Sequence, residues 1–504
     1  MGFTGGIAAR VNAGQHPGYP RLSKKKQAAI EIGLLFWVFA IFAVFGPHDM
    51  TDGKYSLLVS ESLLRNHSFV INDRSIPQLQ PFARPGYQAN GYPYQMEVSR
   101  GDLLYAYPIG SSILSVPFVA LMNLVGVSAQ SPDGEYDAAG EQVMQGILAA
   151  LLMAILTVVF FRTALLLLPL SWSIVLALGG AFSTQIWSTA SRVLWSHTWE
   201  ILLVGVVIYM LLSQEQRQVT GRPVLLATLL SWAYFVRPTS SIPIVAITSY
   251  LLILRPKEFT ALAITGGVWM LLFVVYSWEV SGQPLPGYYL FHLSSGHLWE
   301  ALAGDLISPS RGLFVYVPGS AFVLLLVGYY WQVLPHRPLA ILSLIVLAVH
   351  TLVVSTDPNW WGGHCYGARL TTDLVPWLFL LAILGSRCLL EDHSSGFKHF
   401  AVAFGLLTLV IGVLMNGRGA LSQSANDWVN VPEDVDQRPE RVWDWSNPQF
   451  FSKSQDTDQR QSGRSDRATL KQKGAHFVFI DPPGRALGAE RKESDHTHET
   501  VRHQ

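Results

Sequence analysis

Apolar runs close to twenty residues long recur through most of this chain, and that repeat limits its fold more than any other feature. A hydrocarbon layer about 30 Å thick needs roughly 20 apolar residues to cross it as helix, because backbone groups out of reach of water must bond within their own segment. Twelve such segments lie near residues 28–46, 105–127, 142–168, 171–189, 196–213, 223–237, 240–254, 260–278, 313–332, 338–355, 373–389 and 399–416. Only 14% of the 504 residues are charged, against about 25% in soluble domains. An ordinary cytosolic enzyme is excluded. The net charge is zero and the basic residues are scattered, so no basic face points to nucleic acid. The expected fold is an all-α polytopic membrane protein with about 11–13 transmembrane helices, and membrane lipids are its first partner.

Short loops rich in Lys and Arg stay cytoplasmic, which places residues 1–27, 214–222, 255–258 and 387–398 inside. Loops 47–104, 279–312 and 356–372 then face outward. Lys24, Lys25 and Lys26 precede the first apolar run, and no small-residue cleavage site follows it, so it reads as a retained helix. Four crossings between the loops at 47 and 214 give the wrong parity, so one segment within 105–213 is re-entrant, interfacial or double. Cys365 and Cys388 are separated by a helix and too far apart to bond. Hydropathy collapses past residue 417. The expected organisation is a cytoplasmic segment 1–27, a membrane domain 28–416, and a polar tail 417–504, largely disordered past Ser454. Within the tail, Trp443, Asp444 and Trp445 form an aromatic cluster suited to the membrane surface, and His476–Ile480 is short enough for one strand.

The chemistry-bearing residues gather in the outward loops. After Asp49 and Asp52 comes a stretch with Tyr55, Leu58, Val59 and Leu63 on one helical face, which predicts an amphipathic helix along the membrane surface. Asp52, at the mouth of the bundle, suits a base that takes a proton from a hydroxyl. The same position suits a helix cap. Tyr87 to Tyr94, Tyr105 and Tyr107 read as interfacial anchors. Arg192, His197 and Glu200 crowd one membrane boundary, where charge faces a cavity or a partner. Arg192 pairing with Glu200 is the plainer reading. Arg237 interrupts an apolar run where it can reach lipid phosphate or substrate phosphate, and Arg311 precedes an apolar helix as a headgroup anchor or substrate contact.

The densest constellation runs from Asp357 through Trp360, Trp361, Gly362, Gly363, His364, Cys365, Tyr366, Gly367 and Arg369 to Asp373. Its glycines permit close backbone approach, and His364 and Arg369 can donate to the phosphate of a lipid-linked donor. Arg369 pairing with Asp373 one turn later is the plain alternative.

At these residues the chain resembles the GT-C superfamily of polytopic glycosyltransferases, in the bacterial branch of protein O-mannosyltransferase and lipid A aminoarabinose transferase. The shared order is a first helix, an outer loop with an acidic residue, Tyr and an amphipathic helix, many spans, and a late loop of the form Trp-Gly-Gly-x-x-x-Gly-x-Arg. The resemblance implies a sugar moved from a polyprenyl-phosphate donor to a hydroxyl or amine of a lipid, glycan or protein acceptor. It implies an inverting reaction on the outer face of the plasma (inner) membrane. Asp52 becomes the candidate base, with Asp49 as its substitute. Arg369, His364, Tyr366, Arg237, Arg192, His197, Glu200 and Arg311 become candidate substrate contacts. Gly53 stands where the family has the second acid of an Asp-Glu pair, and a divalent cation is left open as the only cofactor. A transporter or flippase of a lipid-linked or anionic solute is the rival reading from charge placement, and a surface-polysaccharide polymerase or ligase is the third.

Overall fold

The computed structural model describes residues 22–44, 50–71, 92–219, 221–290 and 296–453. Asp49, Tyr87, His476–Ile480 and everything past residue 453 lie outside them. All twelve apolar segments are helical. Seven are long and apolar enough to cross a membrane: α1 Lys24–Val44, α4 Ala138–Ala164, α6 Ser196–Arg217, α9 Pro256–Ser281, α12 Arg337–Val354, the segment Arg369–Glu391 whose α-helical part is α13 (Val375–Glu391), and α14 Ser395–Leu421. Five are shorter: α3 Gly110–Leu124, α5 Leu170–Phe182, α7 Pro223–Val236, α8 Ser241–Leu254 and α11 Pro318–Tyr329. Helix α2, Ser56–Asn66, and α10, Leu298–Ile307, lie in connecting segments, and a hairpin pairs β1 (Met96–Ser99) with β2 (Asp102–Tyr105) antiparallel. The fold is all-α and polytopic.

Side-chain bonds between helix ends resolve the parity. Arg162 near the end of α4 pairs with Glu31 near the start of α1 at 2.6 Å. Glu141 in the first turn of α4 accepts the N–H groups of Tyr55 and Leu57 at 2.9 Å, just past the end of α1. Helices α1 and α4 are therefore antiparallel, and the chain between them makes no net crossing. Segment α3 is the one that does not cross. At 15 residues it spans about 22 Å, and it packs with α2 instead, where Ser60 donates to the Ser112 carbonyl at 2.7 Å. The remaining eleven apolar helices alternate in direction. One end of the bundle gathers the polar loops at 50–57, 92–109, 282–290, 296–317, 356–374 and 422–453. The other gathers Lys24–Lys26, Arg217, Arg222, Arg255, Lys257 and Arg387, and is braced there by Arg255 to Glu215 at 2.8 Å and by Tyr330 to Asp392 at 2.6 Å.

Two expectations need correction. Helix α2 does not lie with one face on lipid: its residues Ser56–Ser62 are all buried, because α3 covers it and Glu61 accepts the Ala129 N–H at 2.7 Å. Nor are residues 417–453 a solvated tail. Helix α14 runs on to Leu421, and the segment after it folds back over the polar end, where Trp428, Val429, Val435 and Val442 form a second small core with Ala301 and Trp360. Trp443 packs on Trp360 at 6.2 Å, whereas Trp445 is exposed. Cys365 and Cys388 are free and stand at opposite ends of α13.

Candidate active site

Asp52 sits on a tight turn between α1 and α2. The cap of α2 is not its carboxylate, since Tyr55 holds the N-cap position in a left-handed conformation (φ 73°) and Glu141 from α4 satisfies the helix amides. The Asp52 side chain is left to reach elsewhere. Its Oδ2 accepts from Arg369 Nη2 at 2.6 Å across 317 residues of sequence, and its Oδ1 accepts from the Tyr107 hydroxyl at 3.1 Å. Charge-assisted bonds of this length are the stronger kind. Burial first, and then the Asp52 charge, raise the Tyr107 pKa, so the phenol stays protonated as a donor. Tyr105 donates to the Asp52 carbonyl at 2.5 Å. These two tyrosines, read from sequence as interfacial anchors, thus hold Asp52, Tyr107 at its carboxylate and Tyr105 at its backbone carbonyl. Tyr107 also meets Tyr288 at 5.0 Å and Tyr94 at 6.4 Å, ring to ring.

Arg369 is held from three sides. Its guanidinium lies 3.9 Å over the Trp195 ring, Nη1 donates to the Gly362 carbonyl at 3.3 Å, and Nη2 takes Asp52. Its Nε is buried with no partner among the described residues. The loop before it depends on its glycines: Gly362, Gly363 and Gly367 have φ of 72°, 63° and 60°, a region that side chains rarely enter.

A second buried cluster lies beneath. Asp373 does not pair with Arg369. It accepts from Arg237 Nε at 2.6 Å, His197 Nδ1 at 2.5 Å and Thr239 Oγ1 at 3.0 Å, with His350 at 3.7 Å. Arg237 therefore spends its charge on Asp373 and Ser196 and not on a phosphate at the lipid surface. Glu200 accepts from Ser240 at 3.3 Å, and no bond joins it to Arg192 among the described residues. From sequence Asp373 figured only as the alternative partner of Arg369, not as the partner of Arg237 and His197. Its only signal there was its place at the start of an apolar helix, where a lone acid needs a cation.

Three candidates turn out to be internal braces. Arg311 is buried and donates to the carbonyls of Trp361, Gly363 and Ser310 and to Gln449 Oε1, so it binds no headgroup. The buried Tyr366 hydroxyl donates to the Met415 carbonyl at 2.7 Å with its ring against Gly419. Arg192 is fully buried and donates to the Phe42 carbonyl at the end of α1. His364 faces two carboxylates, Asp434 at 2.9 Å and Asp436 at 3.5 Å, an environment that repels phosphate. Among the described residues these three are the group able to hold a divalent cation, with one ligand atom from each within 4.8 Å of the others.

Behind the Arg369 segment, α5, α11, α13 and α14 flank a half-open apolar groove lined by Trp172, Thr184, Phe322, Leu378, Leu390 and Leu406 among others. It runs from Thr184, beside Gln185, which bonds Ala368 and Thr371, to Leu390 at the opposite end of α13.

No family model and no curated protein sequence matches this chain. In three dimensions it is similar to the crystal structure of ArnT from Cupriavidus metallidurans bound to undecaprenyl phosphate, at 13% identity over 81% of this chain and 73% of that one, with a TM-score of 0.42. It is also similar to the apo oligosaccharyltransferase of Archaeoglobus fulgidus, at 10% identity over 84% of this chain, with a TM-score of 0.45. The match spans 61% of that chain's length. Both are GT-C superfamily members. At that level of similarity neither assigns an activity to this chain.

Proposed function

We propose that this protein is a membrane glycosyltransferase that moves a sugar from a polyprenyl-phosphate donor to an acceptor hydroxyl or amine on the outer face of the membrane. The observation that carries it is the 2.6 Å pair of Asp52 and Arg369, a base and an anion clamp brought together among tyrosines at one end of a lipid-spanning bundle. Asp52 takes the acceptor proton as the acceptor oxygen or nitrogen bonds to the anomeric carbon. The bond from that carbon to the phosphate oxygen breaks on the opposite face, and the electron pair leaves with polyprenyl phosphate. Arg369 stabilises the charge that grows on the phosphate, an interaction stronger in the transition state than in the ground state.

The resting pair also orders the reaction. A donor phosphate competes with Asp52 for Arg369, so the carboxylate is released to act as base only when the donor has arrived. The unpartnered Arg369 Nε adds a donor for a phosphate oxygen. The apolar groove behind Arg369 has the depth of a lipid tail, about 22 Å along α13 from Val375 to Leu390. The basic residues at the far end of the bundle support an outer-face site through the positive-inside rule. Charges in a transporter line the midplane, whereas these ionisable groups sit at one end.

Purified protein in lipid vesicles, supplied with radiolabelled polyprenyl-phosphate hexoses and pentoses and with a membrane extract as the source of lipid, glycan and protein acceptors, should move label onto an acceptor and release polyprenyl phosphate. Asp52→Asn should lower that rate by at least about 100-fold while the protein stays folded. Equal rates in the variant and the parent remove Asp52 from the role of base.

A further inference from the structure

Asp52 and Arg369 are carried by separate loops, and loops move more than the helices that hold them. A base and a leaving-group clamp must nevertheless be held within about 0.5 Å of their working geometry. The turn that carries Asp52 is clamped in an unusual way. Three successive carbonyls each accept a side-chain bond from a different element: Thr51 from Gln95 at 2.9 Å, Asp52 from Tyr105 at 2.5 Å, and Gly53 from Gln145 Nε2 at 2.8 Å.

Gln145 stands apart from the other two. It is fully buried two turns into the long helix α4, and its Oε1 accepts the Leu194 N–H at 3.3 Å. One amide therefore bonds the residue after Asp52 and the residue before Trp195, whose ring carries the Arg369 guanidinium at 3.9 Å. The bonds close a ring: Asp52 to Gly53, through Gln145 to Leu194, to Trp195, to Arg369, and back to Asp52 at 2.6 Å. Glu141, one turn earlier on the same face, accepts from Gln145 Nε2 at 3.2 Å and orients the amide. When the Asp52 to Arg369 bond opens, the rest of the ring remains.

We propose that Gln145 is a positioning residue that sets the separation of Asp52 and Arg369 during the reaction. This rests on the transferase reading above. A purely structural role predicts lost folded protein with normal turnover in what remains. A positioning role predicts lost turnover with donor binding intact, since misplacement of about 1 Å can cost 100-fold in rate.

The test uses the full chain in lipid vesicles with whichever polyprenyl-phosphate sugar the parent consumes. Gln145→Met keeps the length and removes both bonds, and Gln145→Asn keeps the amide but is one methylene short of reaching both partners. In each, kcat should fall at least 10-fold with KM for the donor within threefold. Amide hydrogen exchange at residues 51–57 should quicken at least 10-fold in Gln145→Met and stay unchanged in Gln214→Met at the far end of the bundle. Unchanged kcat in folded Gln145 variants, with Asp52→Asn inactive, overturns the positioning role and leaves the transferase reading standing. Full activity of Asp52→Asn overturns that reading instead, and unchanged exchange at 51–57 overturns the clamp whatever the activities are.

Discussion

Replacing Asp373 with Asn should destabilise this protein far more than replacing Asp52 with Asn, although both acids pair with an arginine. Asp373 and Arg237 are 4% and 7% exposed and meet at 2.6 Å. Asn at 373 keeps one acceptor oxygen, enough for His197 on one side or for Thr239 and Arg237 on the other, and it strands a buried guanidinium without its countercharge; breaking one side of a buried pair costs about 3–5 kcal/mol. Arg237→Met strands the carboxylate instead, at a similar cost. The two changes together leave neither charge behind, so the double variant should lose about 1–3 kcal/mol, well short of the sum. Asp52 is about a quarter exposed, so Asn there should cost no more than about 1 kcal/mol. Reversible unfolding in mixed detergent micelles, run on the parent, both single variants and the double variant, measures all of these. A double-variant loss equal to the sum of the singles, within about 0.5 kcal/mol, would refute the buried-pair account, as would a cost below about 1 kcal/mol for Asp373→Asn.

Gly53→Ala should disturb the site through backbone sterics. A Cβ at Gly53 would stand 2.6 Å from the Leu194 carbonyl oxygen, so the Asp52 turn has to shift; turnover should drop at least 10-fold with about 1–3 kcal/mol of stability, read by activity and thermal melting. Asp305 on α10 should make stability depend on pH. Burial pushes its carboxyl up to about 7 from 3.8, against a lowering bond from Ser355 at 2.8 Å. The folded state thus holds the proton more tightly than the unfolded chain. That stability is present in full below about pH 4 and is lost as pH rises through 7, on the order of 4 kcal/mol at about 1.4 kcal/mol per tenfold in proton affinity. Melting curves from pH 5 to 8 should show the fall, and Asp305→Asn should flatten it; an unchanged slope in the variant removes Asp305 as its source.

Much of the architecture was legible residue by residue. A segment that must satisfy its backbone inside lipid has to be apolar along its own length, so each of the twelve helices announced itself locally. The Trp-Gly-Gly loop and Asp52 were legible for a related reason. Glycines at φ near 70° and an acid at a membrane boundary are costly unless something uses them. Where sequence reading faltered, the information lay elsewhere in the chain. Nothing within residues 110–124 shows that α3 stays on one side, because that follows from Glu141 and Arg162 fixing the direction of α4.

The arginines give the sharpest contrast. Arg237, Arg311, Arg192 and Arg369 look alike in sequence, each a cation beside an apolar run, and each was a candidate for substrate. Their partners separate them: Asp373 for one, backbone carbonyls for two, and for the last a partly exposed Asp52 with one donor to spare. The sequence alone determined that the chain crosses a membrane many times and concentrates its polar chemistry in a few loops, since hydropathy is written locally. Only the tertiary structure decided which charges neutralise one another and which keep an unpaired donor. That depends on contacts between residues as much as 317 positions apart, and no local pattern encodes them.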